Sequence, residues 1–293
     1  MSLEGYCLIN IIKRGSFGTI SLQRRLSDDQ LVVIKEIIHD KSDAYEFSEC
    51  KNEVTILSNL HYPHIIKYLD SFIDQSLHIV MEYATNSTLQ EYIKNRHGRM
   101  LPQDELLFLF SQLVLAVNFI HSSKILHRDI KPCNILLTGS KGNVLKLSDF
   151  GISKLLNATN NARSLVGTPS YLSPELCLGK AYSTQSDIWA TGCVLYFMTT
   201  HKMAFQASNL GSIVNNILHG VITDLLDQDQ YDERLPHLIA SMLEREPEHR
   251  PSTNQLMAHC LLVPHVYGIM LNHGLDYGIM GSQNNNGASS GNC

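Results

Sequence analysis

The sequence is short of positive charge. Its 23 lysines and arginines stand against 28 aspartates and glutamates, a formal net charge of −5 with histidine neutral. A protein that grips nucleic acid by its phosphates carries a basic excess, so that partner class is set aside. Cysteine pairing is also lacking. Cys7, Cys50, Cys133, Cys177, Cys193, Cys260 and Cys293 are odd in number and scattered, with no C-x-x-C spacing. This argues against a disulfide framework or a zinc site and fits a reducing compartment. No apolar run reaches the roughly 20 residues that cross a bilayer, so no membrane partner is expected. The most apolar stretch, 106–120 (LLFLFSQLVLAVNFI), includes Ser111, Gln112 and Asn118 and reads as a buried helix. Residues 1–5 show neither a basic leader nor a myristoylation signal, and a cytoplasmic address is expected. The sequons at Asn86 and Asn157 are read as chance matches.

What is present suffices for a sizeable core: 44% of the 293 residues are hydrophobic and 17% charged. Strand patterns cover 6–14, 18–25 and 31–37. A helix then begins at an Asp43/Glu46 capping box, with Phe47, Cys50, Val54 and Leu57 on its apolar face. Two more short strands end at 77–83. Helical periodicity takes over at 88–96, 103–123, 184–200, 208–219 and 233–244, around a loop-rich stretch at 125–175 with apolar runs at 135–137 and 144–147. The reading is a small strand-rich lobe, a larger helical lobe, and a join near 83–86. Tyr267-Gly-Ile-Met270 recurs ten residues on, too few copies for a solenoid, and 281–293 reads as a disordered tail.

Several residue groups carry chemistry. Gly15-Ser16-Phe17-Gly18 joins two strands; glycines admit phosphate oxygens to the backbone N–H groups, although an ordinary hairpin turn accounts for them as well. Lys35 ends the apolar strand Val32-Val33-Ile34-Lys35 and needs a counter-charge. Glu53 is the candidate, with a solvated glutamate at the edge of the helix face as the alternative. More specific is His127-Arg128-Asp129-Ile130-Lys131-Pro132-Cys133-Asn134. Asp129 can accept a hydroxyl proton, Lys131 can neutralise a phosphoryl group, and Asn134 offers Mg²⁺ a hard oxygen. Ser148-Asp149-Phe150-Gly151 supplies a second metal ligand. Together these are the parts of phosphoryl transfer.

In order and spacing, His127-Arg128-Asp129 with Asn134, Asp149-Phe150-Gly151 and Ser173-Pro174-Glu175 resemble the protein kinase motif set. Asp187-Ile188-Trp189 and His249-Arg250-Pro251 resemble its later landmarks. The stretches 149–154, 167–175, 186–196 and 204–210 are similar to those of the NimA-related serine/threonine kinases. The resemblance covers about 4–264 and leaves 265–293 as a tail. It implies the two-lobed α+β protein kinase fold, with one main helix in the small lobe, and transfer of the ATP γ-phosphoryl group to serine or threonine of protein substrates, with Mg²⁺.

The resemblance also implies roles. Asp129, Lys131, Lys35 and Glu53 would be catalytic, and Asn134 and Asp149 would hold the metal. Ile12, Lys13, Arg14, Gly15, Ser16, Phe17, Gly18, Thr19 and Ile20 would form the phosphate loop. Ile20, Val33 and Leu136 would sandwich the adenine, beside Met81 and the backbone of Glu82 and Ala84. Leu57, Tyr68, His127 and Phe150 would stack as a spine, and Arg250 would pair with Glu175. Lys131 and Thr168 together would mark a serine/threonine kinase rather than a tyrosine kinase. Ser164 would be the activating site, modified by an upstream kinase or by the chain itself. Lys13 replaces the loop's first glycine and Asn86-Ser87 a Gly-Gly pair, so a pseudokinase scaffold with weak nucleotide binding is the alternative. A glycine at 13 would let the backbone approach the phosphates, while the Lys13 ammonium compensates in part by attracting phosphate charge, so Lys13→Gly is expected to lower the KM for ATP modestly. Thr88 and Cys133 stand where arginine-selective kinases carry carboxylates, so no strong arginine requirement is expected.

Overall fold

The computed structural model describes residues 3–15, 18–38, 54–55, 57–74, 76–150, 169–222 and 230–273. Five antiparallel strands build the small lobe: β1 (Tyr6–Gly15), β2 (Gly18–Arg25), β3 (Leu31–Ile37), β4 (Tyr68–Ile73) and β5 (Leu77–Glu82), in the order β1-β2-β3-β5-β4. Their period-two alternation has a visible result. Val32, Ile34 and Val80 pack with Tyr6 and Phe72 in a small core of their own. Val33 and Lys35 alternate onto the other face of β3. Rungs run straight across the sheet there: Lys13 faces Ile20, Ile20 faces Lys35, and Lys35 faces Ile79.

The helical lobe is built on α2 (Gln103–Ser122), which follows the short α1 (Leu89–Lys94). By length and composition α2 would cross a bilayer, yet Leu106, Phe110, Leu113, Val114 and Val117 are buried within the molecule, as expected of a core helix. Its longest buried polar side chain is placed. Gln112 donates to the Asn143 carbonyl at 2.9 Å and accepts from the Leu145 amide at 2.8 Å. That ties α2 to the hairpin of β6 (Ile135–Thr138) and β7 (Val144–Leu147), which carries the chain past the site.

After α3 (Pro174–Cys177), α4 (Thr184–Thr200) runs buried for most of its length, capped by Ser183. Then come α5 (Leu210–His219), α6 (Arg234–Met242), α7 (Thr253–Met257) and α8 (Val263–Asn272). Where α4 meets α6, a Cβ on Gly192 would lie 2.8 Å from Met242 Cβ and 3.1 Å from Leu243 Cδ2. Gly192→Ala gains about 1 kcal/mol of helix propensity, but overpacking against a Cβ that cannot swing away costs about 1–3 kcal/mol. A lowered thermal midpoint is expected; an unchanged or raised one would show that the helices can separate.

The strands and long helices lie where the patterns put them, within about two residues at most ends. The last helix runs past the expected boundary. The boundary at 264 falls inside α8, whose Val266 and Ile269 are buried and which packs along α2. Pro264 and Gly268 mask its apolar period, so the packed unit continues to Asn272. The tail from 281 and most of the helix begun at Asp43 lie outside the described residues.

Candidate active site

Two non-glycine residues at the site have left-handed backbone, Arg128 at φ 67° and Asp149 at φ 54°. Such backbone is strained for a residue with a Cβ and persists where its surroundings over-determine it. For Arg128 the restraint is Asp187, on the first turn of α4. Its carboxylate accepts from the amides of His127 at 3.0 Å and Arg128 at 3.1 Å, from His121 Nε2 at 2.9 Å and from the Tyr182 hydroxyl at 2.5 Å. Burial works to raise the Asp187 pKa, but the hydrogen bond from His121, the nearby His127 and the Tyr182 hydroxyl outweigh it, and the net shift is downward. A buried anion therefore pins the 127–128 backbone.

His127 passes the order on. Burial lowers its pKa, so the ring is neutral. Its Nδ1 accepts from the Asp129 amide at 3.2 Å, which leaves Nε2 to donate to the Ser148 carbonyl at 3.0 Å. One ring thus couples the backbone of Asp129 to that of Ser148, beside Asp149. The His127 and Phe150 rings lie 4.7 Å apart, and Leu57 and Tyr68 pack on the same core.

Asp129 Oδ2 accepts from Lys131 Nζ at 2.7 Å and from Asn134 Nδ2 at 2.8 Å. Asn134 Nδ2 also reaches the Asp129 carbonyl at 2.8 Å, which turns its Oδ1 away from that carboxylate. Lys35 Nζ meets Asp149 Oδ1 at 2.9 Å across the cleft. The charge of Lys35 holds the Asp149 carboxyl below its ordinary value against the opposing effect of burial. Asn134 and Asp149 are hard oxygen donors of the type Mg²⁺ takes while water and phosphate fill its other positions, so the donor set fits that ion.

The nucleotide-side residues are brought to the same cleft. Arg14 faces Thr19 and Gly15 faces Gly18 at the tip of the β1–β2 hairpin, with Ile12 in a bulge. Gly18 sits at φ 137°, where a Cβ would lie 1.9 Å from the Glu36 carbonyl oxygen, so no other residue fits. Val33 pairs with Met81, and Leu136 bridges to Thr88 just past Glu82 and Ala84. Ser16, Phe17, Glu53, Ser164 and Thr168 lie outside the described residues.

Away from the cleft, Arg250 and Glu175 form the expected pair, at 2.9 and 2.8 Å. Three site features were not assigned from sequence. Asp187 was a landmark without a role, and Tyr182 was unremarked. Glu91 folds back to accept from the Thr88 amide at 3.0 Å and hydroxyl at 3.1 Å, so a carboxylate stands beside the position read as uncharged. The T-x-x-E spacing of a capping box was the signal available for Glu91.

The protein kinase domain model matches residues 6–262. The chain is 42% identical over 262 residues to the serine/threonine-protein kinase Nek8 of Danio rerio, covering 89% of this chain and 37% of that protein. It is 40% identical over 257 residues to Nek1 of Mus musculus, covering 87% of this chain and 21% of that protein. Against the serine/threonine-protein kinase nekl-2 of Caenorhabditis elegans it is 37% identical over 277 residues, covering 91% of this chain and 77% of that protein. The chain therefore spans well under half of Nek8 and Nek1.

Proposed function

The chain belongs to the protein kinase domain family and, within it, to the NimA-related serine/threonine kinases, and from that premise we propose that it transfers the γ-phosphoryl group of ATP to serine or threonine hydroxyls of proteins. The observation that carries this is the Asp129 carboxylate held between Lys131 and Asn134, next to a Lys35–Asp149 ion pair. Asp129 accepts the proton of the substrate hydroxyl as its oxygen attacks. Lys131 stabilises the charge on the transferring group, and Lys35 orients the α- and β-phosphates. Asn134 and Asp149 would hold Mg²⁺, whose chemistry there would be to neutralise phosphate charge. The residues 12–20, with Val33, Met81, Glu82, Ala84 and Leu136, enclose the nucleotide.

Phosphorylation of Ser164, by another kinase or by the chain itself, activates the enzyme. We place the protein in the cytoplasm, acting on proteins rather than on nucleic acid or membranes. The deciding assay is transfer of label from γ-labelled ATP with Mg²⁺ to a mixed protein substrate, followed by phosphoamino-acid analysis. Labelled serine or threonine supports the reading. Nucleotide binding without any transfer would make the chain a scaffold.

Substrate choice follows from the cleft's lining. Burial raises the Cys133 thiol, so it is neutral, and the Glu91 carboxylate is engaged by Thr88. An arginine upstream of the acceptor would lack a ready bidentate carboxylate, a contact worth about 1.5–3 kcal/mol. A positional peptide array should show less than about tenfold selection for arginine and, as the likeness to the NimA-related kinases implies, a preference for an apolar residue three positions before the acceptor. Strong arginine selection there would refute this.

A further inference from the structure

Lys13 reads from sequence as an intruder in a loop that wants glycine, and the sheet gives it a different meaning. Between Ile11 and Lys13 the β1–β2 register shifts: Ile11 faces Ser21, Lys13 faces Ile20, and Ile12 is the extra residue. Without that bulge Ile12 would face Ile20 and Lys13 would face Thr19. A bulge of this kind re-aims a side chain, because alternation across the strand restarts one residue later.

Directly opposed residues of an antiparallel sheet project from the same face. The rung Lys13–Ile20–Lys35–Ile79 therefore puts Lys13 on the face that carries Lys35, two strands or about 10 Å away along the backbone. That face looks into the cleft, since Lys35 on it reaches Asp149 at 2.9 Å. Lys13 itself is exposed, so it is not a packing residue of the sheet. Two ammonium groups aimed into one cleft repel each other and repel a metal on Asp149. The arrangement becomes favourable when a polyanion lies between them.

Resting on the kinase reading above, we infer that Lys13 is a phosphate-binding side chain: its ammonium takes the phosphate chain of the nucleotide from the roof of the cleft, on the sheet face it shares with Lys35. Charge-assisted contact replaces the close backbone approach that a glycine would allow. The expectation from sequence, tighter ATP use in Lys13→Gly, is thereby reversed.

The test measures binding, so it does not depend on turnover. Dissociation constants for ATP with Mg²⁺ and for adenosine are taken for the wild-type chain, Lys13→Met and Lys13→Arg. Methionine keeps length and removes charge. Lys13→Met should weaken ATP about 5- to 20-fold, leave adenosine unchanged, and be restored to within about twofold by Lys13→Arg. ATP affinity that is unchanged or improved in Lys13→Met overturns the assignment. So does an equal loss for ATP and adenosine, which would mark a general disturbance of the hairpin. A wild-type chain that binds neither ligand would remove the kinase reading and this role with it, whereas binding that is indifferent to Lys13 removes this role alone.

Discussion

Asp129→Asn is expected to slow phosphoryl transfer about 10²- to 10⁴-fold, the usual range for losing a general base, with ATP affinity and thermal midpoint close to wild type. The structure says why the loss should be confined to chemistry. The Asp129 amide, which sets the backbone, is held by His127 Nδ1 at 3.2 Å, and that contact does not involve the carboxylate. The shape of the side chain is kept. What disappears is the anion that accepts the hydroxyl proton and that Lys131 and Asn134 converge on at 2.7 and 2.8 Å. The Lys35–Asp149 pair on the nucleotide side is untouched. Initial rates at saturating ATP, with the midpoint taken in parallel, check this. Equal rates for variant and parent would deny Asp129 the role of base; a collapse of the midpoint would make it structural.

Legibility from sequence followed contact distance along the chain. The β1–β2–β3 meander and α2 were readable because alternation and helical period are local signals. The group Asp129, Lys131 and Asn134 was readable because its members fall within six residues, so chemistry and spacing appear together. Asp187 was not, because the amides it restrains lie 59 and 60 residues earlier in the chain, and nothing local announces that a carboxylate on α4 will be buried against them. The Glu175–Arg250 pair spans 75 residues and was reached through the family resemblance alone. The face that Lys13 presents is hard to read for a subtler reason. Its face depends on a one-residue bulge, and a single added residue inverts which side chains a strand presents while leaving the sequence pattern of β1 nearly unchanged. In α8, Pro264 and Gly268 broke the apolar period that Val266 and Ile269 still satisfy once packed.

Arg250→Met is expected to destabilise the fold strongly. Arg250 is 3% exposed and Glu175 4%. The guanidinium holds both carboxylate oxygens, at 2.9 and 2.8 Å, and donates further to the carbonyls of Gln185 and Glu244, each at 2.7 Å. It also lies over the Trp189 ring at 5.0 Å. Methionine fills much of that volume but leaves Glu175 as a buried anion with the Ser186 hydroxyl for company. Removing one partner of such a pair costs about 3–5 kcal/mol. At about 2–4 °C per kcal/mol for a chain of this size, the midpoint should fall by about 10 °C. The pH dependence identifies the cause. In the parent, burial would raise Glu175, but hydrogen bonds from Arg250 and Ser186 bring it down to about 2 from its ordinary 4.5. A depressed carboxyl contributes stability that is present above the unfolded value and is lost as pH falls through the folded one, here between about 4.5 and 2. In the variant, burial acts without Arg250 to oppose it and Glu175 takes up its proton more readily. The deficit should therefore be largest near neutral pH and shrink as the solution is acidified. Adding Glu175→Gln to Arg250→Met removes the stranded charge and should recover part of the midpoint at pH 7. Melting curves of parent, single and double variants across pH decide the matter. A deficit that does not change with pH, or a double variant no more stable than the single, would locate the loss in packing against Trp189 rather than in the ion pair.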